Sequence, residues 1–175
     1  MRSIAPGDLS DILELNQKWV PEVGSLTESA LEELNDKCAY TAVIPLSDGS
    51  VGGFVLVLGP GSAYESLNYR FFSERHGGGG GERENNFTYL DRIVVAGHAK
   101  RTGLGRQLYR GVAEFAGSVG SPVVCCEVNV DPPNPMSTAF HAALGFEPVG
   151  RQWTYNHTVE VEMLECPTSK LSPSP

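Results

Sequence analysis

HAKRTGLGRQLYR, residues 98–110, sets two glycines at the head of an amphipathic stretch and surrounds them with cations. FTYLDRIVV (87–95) precedes it as a β-rich run, and SPVVCCEVNV (121–130) follows it as a valine-rich, nearly apolar one. Between them Leu104, Leu108, Val112 and Phe115 recur on one helical face through about Gly117. The centre therefore reads strand–helix–strand, which implies a parallel strand pair and a mixed α/β fold. Two familiar phosphate loops are excluded. Gly105 is followed by Arg106 and Gln107 instead of Lys-Ser/Thr, and Leu108 stands where a dinucleotide fingerprint needs a small residue. A helix N-terminus still offers unpaired N–H groups and partial positive charge. Gly103 and Gly105 keep side chains away from those amides, and Arg101 and Arg106 add charge. The stretch is either a pyrophosphate cradle made mainly of backbone or an ordinary helix start with surface cations.

Working outward, Asp8 can cap a first helix through about Lys18, carrying Ile12, Leu13 and Leu15, which VPEVGSL (20–26) breaks. Ser25 with Glu28 resembles a capping box for a second helix, with Leu31 and Leu34, ending near Lys37. AYTAVIP and VGGFVLVLG flank an Asp-Gly turn and read as a hairpin. A long connection, 60–86, begins with the aromatic SAYESLNYRFF. Its second half, about 73–86, holds five consecutive glycines and reads as a mobile loop, either a substrate wall or a tolerated insertion. Beyond the second central strand, Met136, Ala139, Phe140, Ala143 and Leu144 form the expected core stripe of a helix stopped by Gly145. Two strands, about 147–155 and 158–166, close the chain as a hairpin. Residues 1–166 are expected to form one domain, and 167–175 a disordered Ser/Pro tail.

A net charge of −8 and a pI near 4.9 argue against nucleic acid as a partner, and suit either a cationic substrate or plain solubility. The apolar run Phe54 to Leu58 is too short to span a bilayer, and the N-terminus lacks a signal pattern, so no membrane partner is expected. Cys38, Cys125, Cys126 and Cys166 lack zinc-type spacing. They read as buried apolar residues of a reducing compartment, the cytoplasm, and no metal is expected.

Val95, a spacer and KRTGLG together resemble the acyl-CoA loop of the GNAT N-acetyltransferase superfamily, Arg/Gln-x-x-Gly-x-Gly/Ala, with Lys100 in the first position. NPMSTAFHAALGF (134–146) is similar to that family's Asn-x-x-Ala-x-x-Leu-Tyr-x-x-x-Gly-Phe. Asn134, Gly145 and Phe146 match, while Ser137, Phe140 and His141 replace Ala, Leu and Tyr. The two segments with their strands cover about 89–146. The resemblance implies a GNAT-like α/β order: strand, two helices, three strands, helix, strand, helix, two strands. It further implies that Lys100, Arg101, Thr102, Gly103, Leu104, Gly105 and Arg106 hold the CoA pyrophosphate. Ile93, Val94 and Val95 would run beside the pantetheine and present backbone to the acetyl carbonyl. Asn134, Ser137 and His141 would form the second wall, with His141 at the place of the tyrosine that protonates the departing thiolate.

On the helical wheel Ser137 and His141 share a polar flank away from the Met136–Phe140–Leu144 stripe, with Asn134 near them. Histidine can donate a proton near neutral pH; otherwise His141 is solvated, and Asn134 before Pro135 is a good N-cap. For the base, Asp91 and Glu127 lie on the two central strands, although Asp91 could pair with Arg92 and a water chain could replace both. The reading is an acetyl-CoA-dependent transferase acting on a primary amine of a small molecule, or on a peptide N-terminus or lysine. Trp153 and Tyr155 are among the candidate acceptor contacts. A non-catalytic acyl-CoA-binding sensor is the alternative. A nucleotide-binding doubly wound fold is disfavoured by Leu108 and the terminal hairpins. The oligomeric state stays open, with a homodimer as one option.

Overall fold

The computed structural model describes residues 1–77, 86–154 and 157–171. The chain divides into two compact units, one of residues 1–58 and 90–112, the other of residues 59–89 and 113–175.

The first unit holds α1 (Leu9–Gln17), α2 (Glu28–Lys37), β1 (Tyr40–Pro45) and β2 (Val51–Leu58). It also holds most of β3 (Thr88–Val95) and the start of α4 (Leu104–Ser118). β1 and β2 pair antiparallel, Tyr40 opposite Val57 and Ile44 opposite Gly53. Every residue of β2 is buried, which is why its sequence is continuously apolar instead of alternating. Ile12 and Leu15 of α1 and Leu31 and Leu34 of α2 supply the helical side of this core. Gly53 is required by closeness: a Cβ there would lie 2.9 Å from the Val94 carbonyl oxygen.

Two caps differ from the sequence reading. Asp8 occupies the N-cap of α1, but its carboxylate makes no capping bond; it takes a bidentate bond from Arg2, at 2.6 and 2.7 Å, and one from the Ala5 amide. Thr27, not Ser25, caps α2 by accepting from the Ala30 amide, while Ser25 bonds Gln17. The expected first strand is reduced to a single bridge between Arg2 and Val43, because Pro6 turns the chain into a 3-10 helix at Pro6–Asp8.

Arg92 organises this unit. Its guanidinium is buried and donates to Asn16 Oδ1 at 2.8 Å, to Asp91 Oδ2 at 3.1 Å and to the Gly24 carbonyl. β3 is thereby tied to α1 and to the turn that follows it.

The second unit contains α3 (Leu67–Gly77), the first two residues of β3, β4 (Val123–Asp131) and α5 (Pro135–Leu144). β5 (Glu147–Thr154), β6 (Val159–Pro167) and α6 (Thr168–Leu171) complete it. β3 and β4 are parallel, with Thr88 opposite Val124 and Tyr89 opposite Cys125. β6 is antiparallel to both β4 and β5. The strand order is β1-β2-β3-β4-β6-β5. The mixed α/β fold with a central parallel pair and antiparallel flanks is as the sequence implied, with six strands among the described residues where seven were expected.

α3 was not anticipated. It lies in the long connection and buries Asn68, Tyr69 and Phe72. A polar residue on the inward face breaks the apolar period by which helices are recognised. Residues 73–77 of the expected loop belong to this helix, and 78–85 lie outside the described residues. At the other end, 168–171 form a helical turn where Ser/Pro composition predicted disorder. Thr168 is buried, its amide and hydroxyl bonded to the carbonyls of Pro122 and Ser121; 172–175 lie outside the described residues. Among the described residues, no helix is long and apolar enough to cross a membrane.

Gly53→Ala is expected to lower stability by about 1–3 kcal/mol through this steric conflict, measured as a drop in the urea midpoint. Gly117→Ala in α4, where a Cβ meets nothing within 4 Å, should be neutral or stabilising.

Candidate functional site

The glycine-rich stretch opens α4 as its spacing implied. After β3 ends at Val95, the Ala96 amide donates to Gly52 O at 2.9 Å, and Gly97–Ala99 make one 3-10 turn. The Thr102 hydroxyl donates to Ala99 O at 2.6 Å, closing the turn on itself. Arg101 and Gly103 are left-handed, with φ of 64° and 91°. The Gly103 carbonyl then accepts from the Gln107 amide. The amides of Leu104, Gly105 and Arg106 thus precede the first intrahelical bond and face outward along the helix axis. A Cβ on Gly103 would meet nothing within 4 Å, so the approach to those amides is clear. Arg101 and Arg106 are exposed, and along β3 Val94 is buried while Ile93 and Val95 are half-buried.

Lys100 has a partner that local sequence gave no sign of. Its ammonium lies 3.4 Å from the centroid of the Trp19 ring, a cation–π contact. Burial holds its pKa below the ordinary lysine value, with Glu22 opposing.

In the second unit Glu127 is the centre of a polar network. The buried Tyr89 hydroxyl donates to its two oxygens, at 2.9 and 3.1 Å, and Asn68 Nδ2 donates at 2.8 Å. Gln152 on β5 donates to Asn68 Oδ1 at 2.5 Å. Sequence reasoning picked out Glu127 and missed its three supports. Tyr89 reads as one more apolar strand residue, Asn68 lies in an unforeseen helix, and Gln152 has no local partner. Asp91, the other candidate base, is in the first unit as the partner of Arg92, both side chains under 10% exposed (6% and 7%). Trp153 is partly exposed, and Tyr155 lies outside the described residues.

Asn134 and His141 occupy α5 differently from the wheel. Asn134 is the N-cap, its side chain accepting from the Ser137 amide at 3.2 Å, with Pro135 at the first helical position. Met136 is 60% exposed and His141 is the buried residue of the helix. The inward face therefore runs through Ser137 and His141, not through Met136. A histidine can sit there because Nδ1–H donates to its own helix, at Ser137 O, 2.8 Å away. Its ring then packs edge-on against Phe140 and Phe146. The Ser137 hydroxyl is 3.2 Å from the same nitrogen. Burial lowers the His141 pKa from its ordinary 6.5, opposed by the Ser137 bond.

None of the four cysteines is in a disulfide. Burial, with the Asp91 charge, pushes the Cys38 thiol up to about 12, and burial raises Cys125 and Cys166 as well. A protonated, buried thiol is a poor nucleophile, so none of these three suits a covalent acyl carrier.

The chain matches the Acetyltransferase (GNAT) family over residues 10–146 and belongs to that family. No curated protein sequence matches it at a significant level. Among solved structures it is similar to the ribosomal-protein-S18-alanine N-acetyltransferase from Escherichia coli. That likeness has 16% identity and a TM-score of 0.68, covering 99% of this chain and 94% of that one. It is similar also to Naa20 from Chaetomium thermophilum in complex with a bisubstrate analogue, at 17% identity and TM-score 0.72 over 97% and 86% of the two chains. A mutant of the spermidine N-acetyltransferase SpeG from Vibrio cholerae is a third, at 17% identity and TM-score 0.64 over 97% and 94%. At these identities the likeness is one of fold.

The buried His141 makes stability depend on pH. Its folded pKa is lowered from 6.5, so below that value the unfolded chain binds a proton that the folded chain resists. The contribution is complete above pH 6.5 and is lost as pH falls through the folded value. Urea midpoints should fall from about pH 7 to about pH 5, by at most about 1.4 kcal/mol per pH unit from this group. His141→Gln should flatten that slope.

Proposed function

We propose that this protein is an acetyl-CoA-dependent N-acetyltransferase that acetylates a primary amine of a small molecule or peptide by direct attack. The observation that carries the reading is the 100–106 loop: three outward amides at the head of α4, an open approach at Gly103, and flanking arginines. That arrangement suits a pyrophosphate, and membership of an acetyltransferase family supports CoA as its owner. Acetyl-CoA supplies the activated thioester. The backbone of Ile93 to Val95 lines the acyl arm, and an N–H near Val95 is the oxyanion donor.

Glu127 is the base. A protonated amine must lose a proton before it can attack, and Tyr89 and Asn68 fix the direction in which the carboxylate receives it, directly or through a water. Asp91 is spent on Arg92 and is the weaker candidate. His141 is the candidate proton donor to the departing thiolate. With Nδ1–H on Ser137 O, Nε2 carries a proton only in the imidazolium, which burial disfavours. This favours a second reading, an acyl-CoA-binding module without transfer.

The acceptor is cationic before it is deprotonated, and a chain of net charge −8 attracts it. The solved structures named above include enzymes for a protein alanine and for spermidine, both amines. Cysteines outside disulfides suit a reducing compartment, the cytoplasm.

Acetyl-CoA at 100-fold its Kd should stabilise the protein by about 2.7 kcal/mol, read as a thermal shift that Gly103→Glu abolishes. No shift for the wild type sinks both readings; a shift without thiol release from any amine in a panel leaves only the binding module. Glu127→Gln should lower kcat by about 10²–10⁴-fold and keep the acetyl-CoA shift. A rate limited by His141 as acid falls as pH rises through the lowered pKa, whereas a rate limited by amine deprotonation rises. His141→Phe with an unchanged rate removes the histidine from the chemistry.

A further inference from the structure

Cys125 on β4 and Glu165 on β6 stand directly opposite in the antiparallel ladder, so their side chains leave the sheet on the same face. His76, in the last turn of α3, meets them there. Its Nε2 is 2.9 Å from Glu165 Oε1 and 3.7 Å from Cys125 Sγ, and the three ligand atoms all lie within 4.8 Å of one another. The imidazole is stacked on Phe87, centroids 5.5 Å apart and planes at 21°, which sets the ring plane and the direction of Nε2. The proposed transfer reaction uses none of these residues, and they are widely spaced in sequence, so the absence of a zinc-type motif does not bear on them.

We propose that His76, Cys125 and Glu165 form a binding site for a thiophilic divalent metal ion of the zinc class. A thiolate, an imidazole and a carboxylate are a three-ligand donor set suited to zinc, which leaves a fourth position for water. Bond lengths of about 2.0–2.3 Å in tetrahedral geometry need ligand atoms about 3.3–3.7 Å apart. The present spacing meets that with small side-chain adjustments, opening the His76–Glu165 distance and holding the thiol close to where it is. Arg75 Nε donates to Glu165 Oε1 at 2.7 Å, and a carboxylate oxygen can keep such a bond on one lone pair while it ligates a metal through another. An apolar residue would pack as well as Cys125 in a purely structural site, yet a thiol is placed against an imidazole and a carboxylate.

On binding, the Cys125 S–H proton leaves to solvent as the metal–sulfur bond forms. His76 gives up the Nε2 proton that it donates to Glu165 and takes one from solvent on Nδ1, so the neutral ring ligates through Nε2; one proton is released in all and no electrons are transferred. Thiolate and carboxylate then balance the two charges of the ion. Because one proton is released on binding, affinity should climb with pH, by up to about tenfold per unit. Occupancy would pin the C-terminal end of α3 to β4 and β6. The same helix, through Asn68, supports Glu127.

The test is titration of the chelator-stripped full chain with cobalt(II), which reports thiolate ligation through a sulfur-to-cobalt charge-transfer band. The expected result is one equivalent bound, the band displaced by zinc, and a thermal midpoint raised by zinc. Cys125→Ser should abolish the band, and His76→Gln and Glu165→Gln should weaken binding at least tenfold. Cys126→Ser, whose side chain leaves the other face of β4, should retain it. Absence of stoichiometric uptake by the wild type overturns the proposal, as does a band that survives Cys125→Ser. Should Cys125→Ser fail to fold, His76→Gln, at a partly exposed helix end, decides: undiminished binding there also overturns it. The acetyl-CoA thermal shift, measured on the stripped protein, reports separately on the transferase reading.

Discussion

A carboxylate on the inner strand of an otherwise apolar sheet must be given hydrogen-bond donors or it destabilises the fold, and Glu127 imposes that requirement on the second unit. Left without partners, a buried polar group costs about 1–3 kcal/mol, and more if charged. The donors come from separate elements. Tyr89 supplies its hydroxyl from β3, Asn68 its amide from α3, and Gln152 on β5 holds Asn68 in turn. Each support is useful only when the others are in place. The network therefore fixes where α3 lies over the strands, and that placement in turn brings His76 to Cys125 and Glu165.

The first unit answers the opposite problem, a buried cation. The Arg92 side chain is buried, so acceptors are brought to it: the Asp91 carboxylate, the Asn16 side chain and the Gly24 carbonyl. Breaking one partner from such a cluster typically costs about 3–5 kcal/mol. The turn between α1 and α2, none of whose residues is buried, is held by this guanidinium together with the Asn16 and Gln17 side chains. The same requirement commits Asp91 to a structural partner, whereas Glu127 in the second unit is half-buried and oriented by its donors.

Two helix starts, one in each unit, handle their first amides in opposite ways. At α4, the first amides precede the first intrahelical bond and follow a left-handed glycine. At α5 the amides are treated differently: Asn134 caps one of them, and His141 turns its Nδ1–H back on the helix. A histidine bonded in this way packs as a flat aromatic ring first and titrates second. Its depressed pKa follows from burial, and any proton it gives must leave from Nε2.

Much of this was legible in the chain itself. The apolar run of β2, the periodicity of α4 and the Asp-Gly turn are local patterns, with period and turn chemistry set by neighbours in sequence. So is the loop from Lys100 to Arg106, whose glycines act through their own backbone. These elements, the mixed α/β class and Glu127 as a charge needing an explanation were determined by the sequence alone. α3 was hidden because Asn68 breaks its apolar stripe. The burial of His141 in place of Met136 was hidden because a helical wheel ranks residues by polarity and cannot see an internal acceptor at Ser137. Trp19 over Lys100, the supports of Glu127 and the meeting of His76, Cys125 and Glu165 join residues far apart in the chain. Only tertiary structure decided those, because hydrogen bonds and ligand spacing depend on distance in space, and the sequence specifies that distance only through the completed fold.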